Sequence, residues 1–321
     1  MNDRKYDLIC IGMAIMDSII KGFDPVPLTA TGFRAESGSL KVGGDAVNES
    51  IAASKLGLRT GILCNLGNDP AGNAIENELR YNGVDTELIV RSDEHQTPVT
   101  TIFVQEDGNR KSITNSAHRY NFHPERHKDR FTDARAIILG SLFRAPFNDP
   151  EVIRSVLTCA RDNGITVFAD TKLPNFRILT LDDIRDSLSM IDYITPNEDE
   201  ARYYSGKDTP EEMAEAFLDA GAKNVIIKLG ARGSYFRNRD VSLMIPAFKT
   251  ETVDATGAGD NFIAGFVSEK LKGNSDEDAL VFANACGAIC STAVGAGSAL
   301  KNRSQVLELI KSSTADQVNY I

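Results

Sequence analysis

No apolar run in this sequence approaches the ~20 residues that a membrane-spanning helix needs. The first stretch, Met1-Asn-Asp-Arg-Lys-Tyr-Asp7, is polar and leads straight into a strand-like run, so it lacks the form of a signal peptide. A cytoplasmic protein with no membrane partner is the expectation. Basic residues are in the minority, 35 Lys and Arg against 45 Asp and Glu, and the net charge is −10. That balance argues against a polyanion-binding surface, and therefore against a nucleic-acid partner. It leaves open a small phosphate compound held by local N–H groups. Cysteine is scarce as well: five residues (Cys10, Cys64, Cys159, Cys286, Cys290), odd in number and set in apolar contexts. They are expected to be reduced core residues. Cys286 and Cys290 stand four apart, but no nearby His or Cys completes a metal set. His118, His123 and His127 lie among Arg119, Arg126 and Lys128, a pattern expected of a solvated loop. Two phosphate-binding signatures are missing. Without Gly-x-x-x-x-Gly-Lys-Ser/Thr the chain is not a P-loop protein, and without Gly-x-Gly-x-x-Gly after the first strand a dinucleotide site is disfavoured.

What is present suits a large α/β core. With 321 residues, 42% of them apolar and 25% charged, the chain can form one big α/β domain or two ordinary ones. Residues 6–12 form a short apolar run ending in Gly12, a buried first strand. Helical patterns follow over 46–56, closed by Gly57, and from Gly72 to Tyr81, with a strand at 60–66 between them. Residues 97–116 break the rhythm: two alternating or β-branched segments flank Glu106-Asp-Gly-Asn109 and predict a hairpin. Little apolar surface on one of its faces predicts a flap standing off the main body. Strands are then expected at 136–140, 165–170, 191–195 and 223–229, helices at 150–163, 197–205 and 209–220, and a second hairpin at 233–245. The last third reads as helices at 258–272, 276–294 and 303–313. No composition break divides the chain, so a single three-layer α/β domain, 1–321, with a small β flap is expected.

The chain's chemistry centres on Val253-Asp-Ala-Thr-Gly-Ala-Gly-Asp-Asn-Phe262. Small residues between Asp254 and Asp260 let backbone N–H groups converge, and a helix starts at once, so the turn has the makings of an anion hole. Asp260 at its edge could accept a proton from an incoming hydroxyl. The plainer reading is a Gly-rich loop before an ordinary helix, with Asp260 near the N-cap. Position favours the first: Asp17, Asp170, Asn197 and the 254–260 turn all fall at or after predicted strand C-ends, the ligand-binding edge of an open parallel sheet.

Taken in order, the motifs resemble those of the ribokinase-like (PfkB-type) carbohydrate and nucleoside kinases, over nearly the whole chain. They are Gly12…Asp17, Gly43-Gly44-Asp45-Ala46-Val47-Asn48, Gly67-Asn-Asp69-Pro-Ala-Gly72, Thr195-Pro-Asn197-Glu-Asp-Glu200, Lys228-Leu-Gly230-Ala-Arg-Gly233, Asp254-Ala-Thr-Gly-Ala-Gly-Asp260 and Asn284. The resemblance implies a ribokinase-like α/β/α fold with a mostly parallel central sheet and a β lid built from parts of about 14–44 and 97–120. It also implies ATP-dependent phosphorylation of a sugar-like hydroxyl. Asp260 would be the base, and the backbone of Gly257, Ala258, Gly259 and Asp260 would hold the phosphate oxygens. Asp17, Gly43, Gly44 and Asn48 would bind the acceptor. Asn197, Lys228, Gly230, Gly233 and Asn284 would line the nucleotide cleft, and Glu200 would organise water around Mg²⁺. Asp254, Thr256, Ala293 and Gly295 match where many relatives hold a monovalent cation such as K⁺, though this chain lacks the basic residue often found near Ala293-Val294. The flap implies closure over the sugar and, as in relatives, pairing of two copies into a homodimer.

The acceptor is the least determined part. Arg144 or Lys172, if in the cleft, would suggest an anionic sugar such as a keto-deoxy acid; otherwise each is a surface charge. A nucleoside acceptor would want an aromatic residue under the base, for which Phe23, Phe33, Phe103 and Phe143 are candidates. A silent sugar- or nucleotide-binding regulator on the same fold would be expected to have lost Asp260.

Overall fold

Alternation along the first strand already divides the core in two. In β1 (Tyr6–Ile11), Leu8 and Cys10 belong to one buried apolar cluster while Ile9 and Ile11 belong to another. Successive side chains of a strand point to opposite faces, so each cluster covers one face of a sheet. The computed structural model describes residues 4–22, 35–104, 110–115 and 122–318. After β1 come β2 (Ile15–Lys21), β3 (Ser37–Gly43), α1 (Asp45–Lys55), β4 (Thr60–Leu63), β5 (Asn65–Gly67), α2 (Pro70–Tyr81) and β6 (Val90–Ser92). The hairpin of β7 (Val99–Val104) and β8 (Arg110–Thr114) follows. Next are β9 (Ala134–Leu142), α3 (Pro150–Asp162), β10 (Thr166–Thr171), α4 (Arg185–Leu188), β11 (Tyr193–Thr195), α5 (Glu198–Ser205), α6 (Pro210–Asp219) and β12 (Val225–Lys228). The chain closes with β13 (Ser234–Arg237), β14 (Ser242–Ile245), α7 (Ala258–Leu271), α8 (Asp276–Cys290) and α9 (Arg303–Val318).

The main sheet has eight strands in the order β14-β13-β12-β11-β10-β9-β1-β4. All its pairings are parallel except the two made by the β13–β14 edge hairpin. Residues of α1, α2, α7 and α8 pack on the Leu8 face, and those of α3, α4 and α6 on the Ile9 face. This is the three-layer arrangement expected. Because six strands run parallel, their C-ends meet at one edge, where Gly12, Ser141, Asp170, Asn197 and Lys228 all arrive.

The predicted flap is part of a second sheet, β3-β2-β7-β8, in which β2 runs parallel to β7. Cross-strand partners share a face, so Leu40, Ser18, Thr101 and Ile113 form one row on one side. Ile15, Asp17 and Gly43 lie on the other. The expected flap residues 23–34, 105–109 and 116–121 lie outside the described residues, and with them Phe23, Phe33 and His118.

Three boundaries differ from expectation. The 60–66 strand divides at Cys64, and its second half pairs with β6 in a separate two-stranded sheet. Three residues as short and polar as Val90–Ser92 leave no periodicity to read. The 276–294 helix stops at Cys290, because Ser291 and Thr292 turn their hydroxyls back onto the carbonyls of Ala288 and Ile289, both at 2.8 Å. The last helix runs on to Val318.

Glu269 ties the end of α7 to the start of α9. Its side chain is nearly buried and accepts from Arg303, Asn274 (2.6 Å) and Ser268 (3.0 Å), with Lys272 3.2 Å away. Burial works to raise its ionisation, but the Arg303 and Lys272 contacts prevail and hold its carboxyl down at about 2. Glu269→Ala is expected to cost about 2–3 kcal/mol in urea unfolding, since it strands Arg303, while leaving steady-state kinetics unchanged. The stabilisation is present above the usual carboxylate range and is lost as pH falls toward 2.

Candidate active site

Three elements deliver the side chains. The N-terminus of α7 carries Asp260, that of α1 carries Asp45 and Asn48, and the C-end of β10 carries Asp170 and Lys172. Gly257, at φ 79°, is the N-cap of α7, and a Cβ there would fall against Ala296. Asn261 fixes the turn: its amide donates to Gly257 O (2.9 Å) and Ala296 O (2.8 Å). Of the proposed anion-hole donors, the Ala258 N–H is already bonded to Ala255 O at 3.2 Å. Among the described residues the N–H groups of Gly259 and Asp260 have no such acceptor. They are the first-turn donors that a helix leaves unsatisfied.

Asp260 is 5% exposed, and Asn48 Nδ2 donates to its Oδ2 at 2.7 Å. Burial, followed by the charge of Asp45, pushes its carboxyl up to about 7, while Lys172 and the Asn48 hydrogen bond pull the other way. Asn48 was expected at the acceptor; its amide instead reaches the base candidate. Asp170 is fully buried and takes hydrogen bonds from Lys228 and from Thr195 Oγ1 (3.0 Å). Burial opposes its ionisation, but Lys228 and Lys172 hold it below the usual range. Lys228 ends β12, and a Cβ at Gly259 would stand 3.3 Å from its Nζ. The lysine therefore lies directly beside the anion turn.

Below this group, Asn197 and Glu200 form a reciprocal capping box at the start of α5, both bonds 2.9 Å. Glu200 also accepts from Thr171 Oγ1 at 2.8 Å, and burial, ahead of the opposing Lys228 charge, raises its carboxyl. Asp254 accepts from Thr256 N (3.0 Å), Thr256 Oγ1 (2.7 Å) and Gly295 N (3.0 Å), bracing the turn against the 293–297 segment in which Ala293 is half-buried. Asn284 is buried, and its amide hydrogens go to Ser234 Oγ (3.1 Å), Ile245 O (3.2 Å) and Pro246 O (3.4 Å), tying α8 to the β13–β14 edge. Gly233, at φ 98°, has the Ile245 carbonyl where a side chain would be, and Gly230 ends in open space.

A cavity of about 170 Å³ opens beside the base candidate, lined by Gly44, Asp45, Ser141, Arg144, Lys172 and Asn175 among others. Gly44, at φ 100°, has no room for a Cβ because the Met13 carbonyl lies there. Ile15 of the second sheet lines the cavity, and Asp17, two residues on, shares its face. A Cβ on Gly43 would stand 2.5 Å from Asp17 Oδ2, so that glycine clears space for the carboxylate. Arg144 and Lys172, read from sequence as surface charges unless the fold placed them in the cleft, are on the cavity wall. Lys172 lies 3.6 Å from Asp45 and 4.0 Å from Asp170. Ser141 bonds Asp45. Both Ser141 (φ 63°) and Phe143 (φ 75°) hold left-handed backbone, strain of a kind that gathers at binding sites. Asp45 was passed over in the sequence, although it stands inside the Gly43-Gly44 motif and its own charge was the signal. Asn261 followed the motif by one residue and was likewise missed.

The arrangement can hold an anion at a helix N-terminus, take a proton at a buried carboxylate and seat a polyhydroxy compound beneath a small sheet. The chain matches the pfkB family carbohydrate kinase description over residues 5–303. It is 29% identical over 277 residues to the ribokinase of Haemophilus influenzae, covering 84% of this chain and 87% of that one. It is 29% identical over 279 residues to the 2-dehydro-3-deoxygluconokinase of Bacillus subtilis, covering 83% and 85%. The structure of Arabidopsis thaliana ribokinase complexed with ribose and ATP superposes with a TM-score of 0.84 at 25% identity, covering 95% and 99%. The fold is thus the ribokinase fold, and the class is that of phosphotransferases with a hydroxyl acceptor. The chain belongs to the pfkB family of carbohydrate kinases.

Proposed function

We propose that this kinase transfers a phosphoryl group from ATP to a hydroxyl of a small sugar or sugar acid, with Asp260 as general base. One observation carries the reading: a buried carboxylate stands at the same helix N-terminus as two unengaged N–H groups, those of Gly259 and Asp260. The base removes the acceptor's proton while those donors and Lys228 meet the charge on the transferred group. Mg²⁺ supplies charge neutralisation on the nucleotide. Glu200 fits a water-mediated role toward it, being an oxygen ligand already oriented by Asn197 and Thr171. A monovalent cation at Asp254, Thr256, Ala293 and Gly295 would brace the same turn.

The cavity favours an acceptor with an acidic group. Arg144 is anchored through its Nε to Leu173 O at 2.6 Å, and among the described residues no carboxylate forms an ion pair with it. A nucleoside acceptor is less well served. Phe143 is fully buried against Tyr204, with ring centroids 4.0 Å apart, and Phe103 belongs to the face of the second sheet away from Asp17. ADP release with ribose, fructose, keto-deoxygluconate, nucleosides and phosphosugars, with and without K⁺, tests both points. Turnover is expected to be highest on an acidic sugar; no turnover on any acceptor would favour the silent regulator. Asp17→Ala is expected to raise the acceptor KM about tenfold or more and leave ATP binding intact. Loss of ATP affinity alone would reverse the division of the cleft.

The second sheet acts as a lid that excludes water. Its outer row exposes Leu40 (69%) and Ile113 (70%), the surface where a second copy would pair. Sedimentation should give a dimer for the wild type and a monomer for Leu40→Lys.

A further inference from the structure

Glu49 is fully buried, and neither of its carboxyl oxygens has a hydrogen-bond partner among the described residues. Asp170 Oδ2 is in the same condition. One oxygen from each of Glu49, Asp170 and Asp260 falls within 4.8 Å of the others, so these orphaned acceptors face a common point beneath the base. Gly140 of β9 keeps that point open: a Cβ there would lie 3.3 Å from Glu49 Oε2.

The groups around Glu49 leave it nothing to pair with. Cys10 faces it from β1, Asp170 and Lys172 from the end of β10, Asp260 from α7, and Asp45 from one turn earlier on its own helix. The nearby ammonium groups are already placed, Lys228 on Asp170 and Lys172 between Asp45 and Asp170. An ionised carboxylate buried without a donor or counter-charge does not persist; it takes up a proton. Burial, then the charges of Asp260, Asp170 and Asp45, push the Glu49 carboxyl well above its usual range. A proton there also turns an orphaned acceptor into the donor that the facing carboxylates lack.

We propose that Glu49 is a positioning residue, a neutral buried acid whose O–H hydrogen-bonds the facing Asp170 and Asp260 carboxylates and holds the base in place. The inference rests on Asp260 being the base, yet its first test does not. The infrared spectrum of wild-type protein, recorded just above the titration of Asp260, should contain a protonated-carboxyl C=O band that Glu49→Gln removes. In kinetics, Glu49→Gln keeps a donor of the same shape and should stay within about twofold of wild type with an unmoved pH profile. Glu49→Ala should lose about tenfold or more in kcat/KM. Its acidic limb should move to higher pH, because a donor that favours ionised Asp260 has gone. Absence of the band, or a Gln variant as impaired as the Ala variant, overturns the proposal. So does Mn²⁺ binding to nucleotide-free wild type that Glu49→Gln abolishes, since the point would then be a cation site. Should Glu49→Ala fail to fold, the Gln variant and the infrared band decide. A normal rate in Asp260→Asn with the band still present would sink the base and leave the neutral acid standing.

Discussion

Asp260→Asn is expected to lower kcat/KM by about 10²–10⁴-fold, the range a positioned general base contributes. The same substitution should leave the melting temperature unchanged or raise it. Burial and the neighbouring Asp45 charge push the Asp260 carboxyl up from 3.8 to about 7. The folded state therefore binds this proton more tightly than the unfolded chain does. By linkage, its contribution to stability falls as pH rises from about 4 to about 7 and stays unfavourable above that. Asparagine removes the cost, so the variant's advantage should be greatest at alkaline pH. Activity runs the other way, because only the ionised base accepts a proton: wild-type kcat/KM should rise through about pH 7 to a plateau. Near-normal turnover by the variant, or a flat wild-type profile across that range, would dismiss Asp260 as the base. The opposed signs matter, since a merely structural Asp260 would lose stability and activity together.

Much of this site was legible because parallel βα units impose order on the sequence. Each apolar run that ends at a small or polar residue marks one strand C-end, and a parallel sheet brings all those ends to one edge. Asp170, Asn197 and the 254–260 turn could therefore be gathered from chain position alone. What could not be read were partners fixed by packing between distant segments. Asn48 and Asp260 are 212 residues apart, and nothing local says that the amide of one reaches the carboxylate of the other. Arg144 and Lys172 looked like any surface charge until the left-handed turn at Ser141 and Phe143 directed that segment toward the cavity. Glu49 is the extreme case. On an amphipathic helix a glutamate is ordinarily solvated, and only the close approach of β1, β9 and α7 makes this one buried. Asn284 errs in the opposite sense: a motif position expected to line the nucleotide cleft has its amide committed to the framework.

The anion turn makes the second large prediction, which needs no knowledge of the acceptor. Gly257→Ala should lower kcat by about 10²-fold or more, the scale on which removing an oxyanion-type donor acts. Two costs combine. At φ 79° a residue with a Cβ pays about 1 kcal/mol for left-handed backbone. The added methyl would also overlap the Cβ and Cα of Ala296. The Ala296 segment cannot simply retreat, because Asn261 bonds its carbonyl at 2.8 Å and Asp254 holds the neighbouring Gly295 N–H at 3.0 Å. The turn must therefore move, and the Gly259 and Asp260 N–H groups with it. Ala296→Gly in the same chain removes only the Cβ part of the clash, since the Ala296 Cα would still stand 2.5 Å from the new methyl. The double variant should thus recover part of the rate and not all of it. Full recovery would show that backbone conformation at 257 contributes nothing. No recovery would place the whole effect in the left-handed φ, and an unimpaired Gly257→Ala would remove the turn from the chemistry altogether. ADP affinity, measured alongside, should weaken far less than kcat, because the donors are needed most as charge develops on the transferred group.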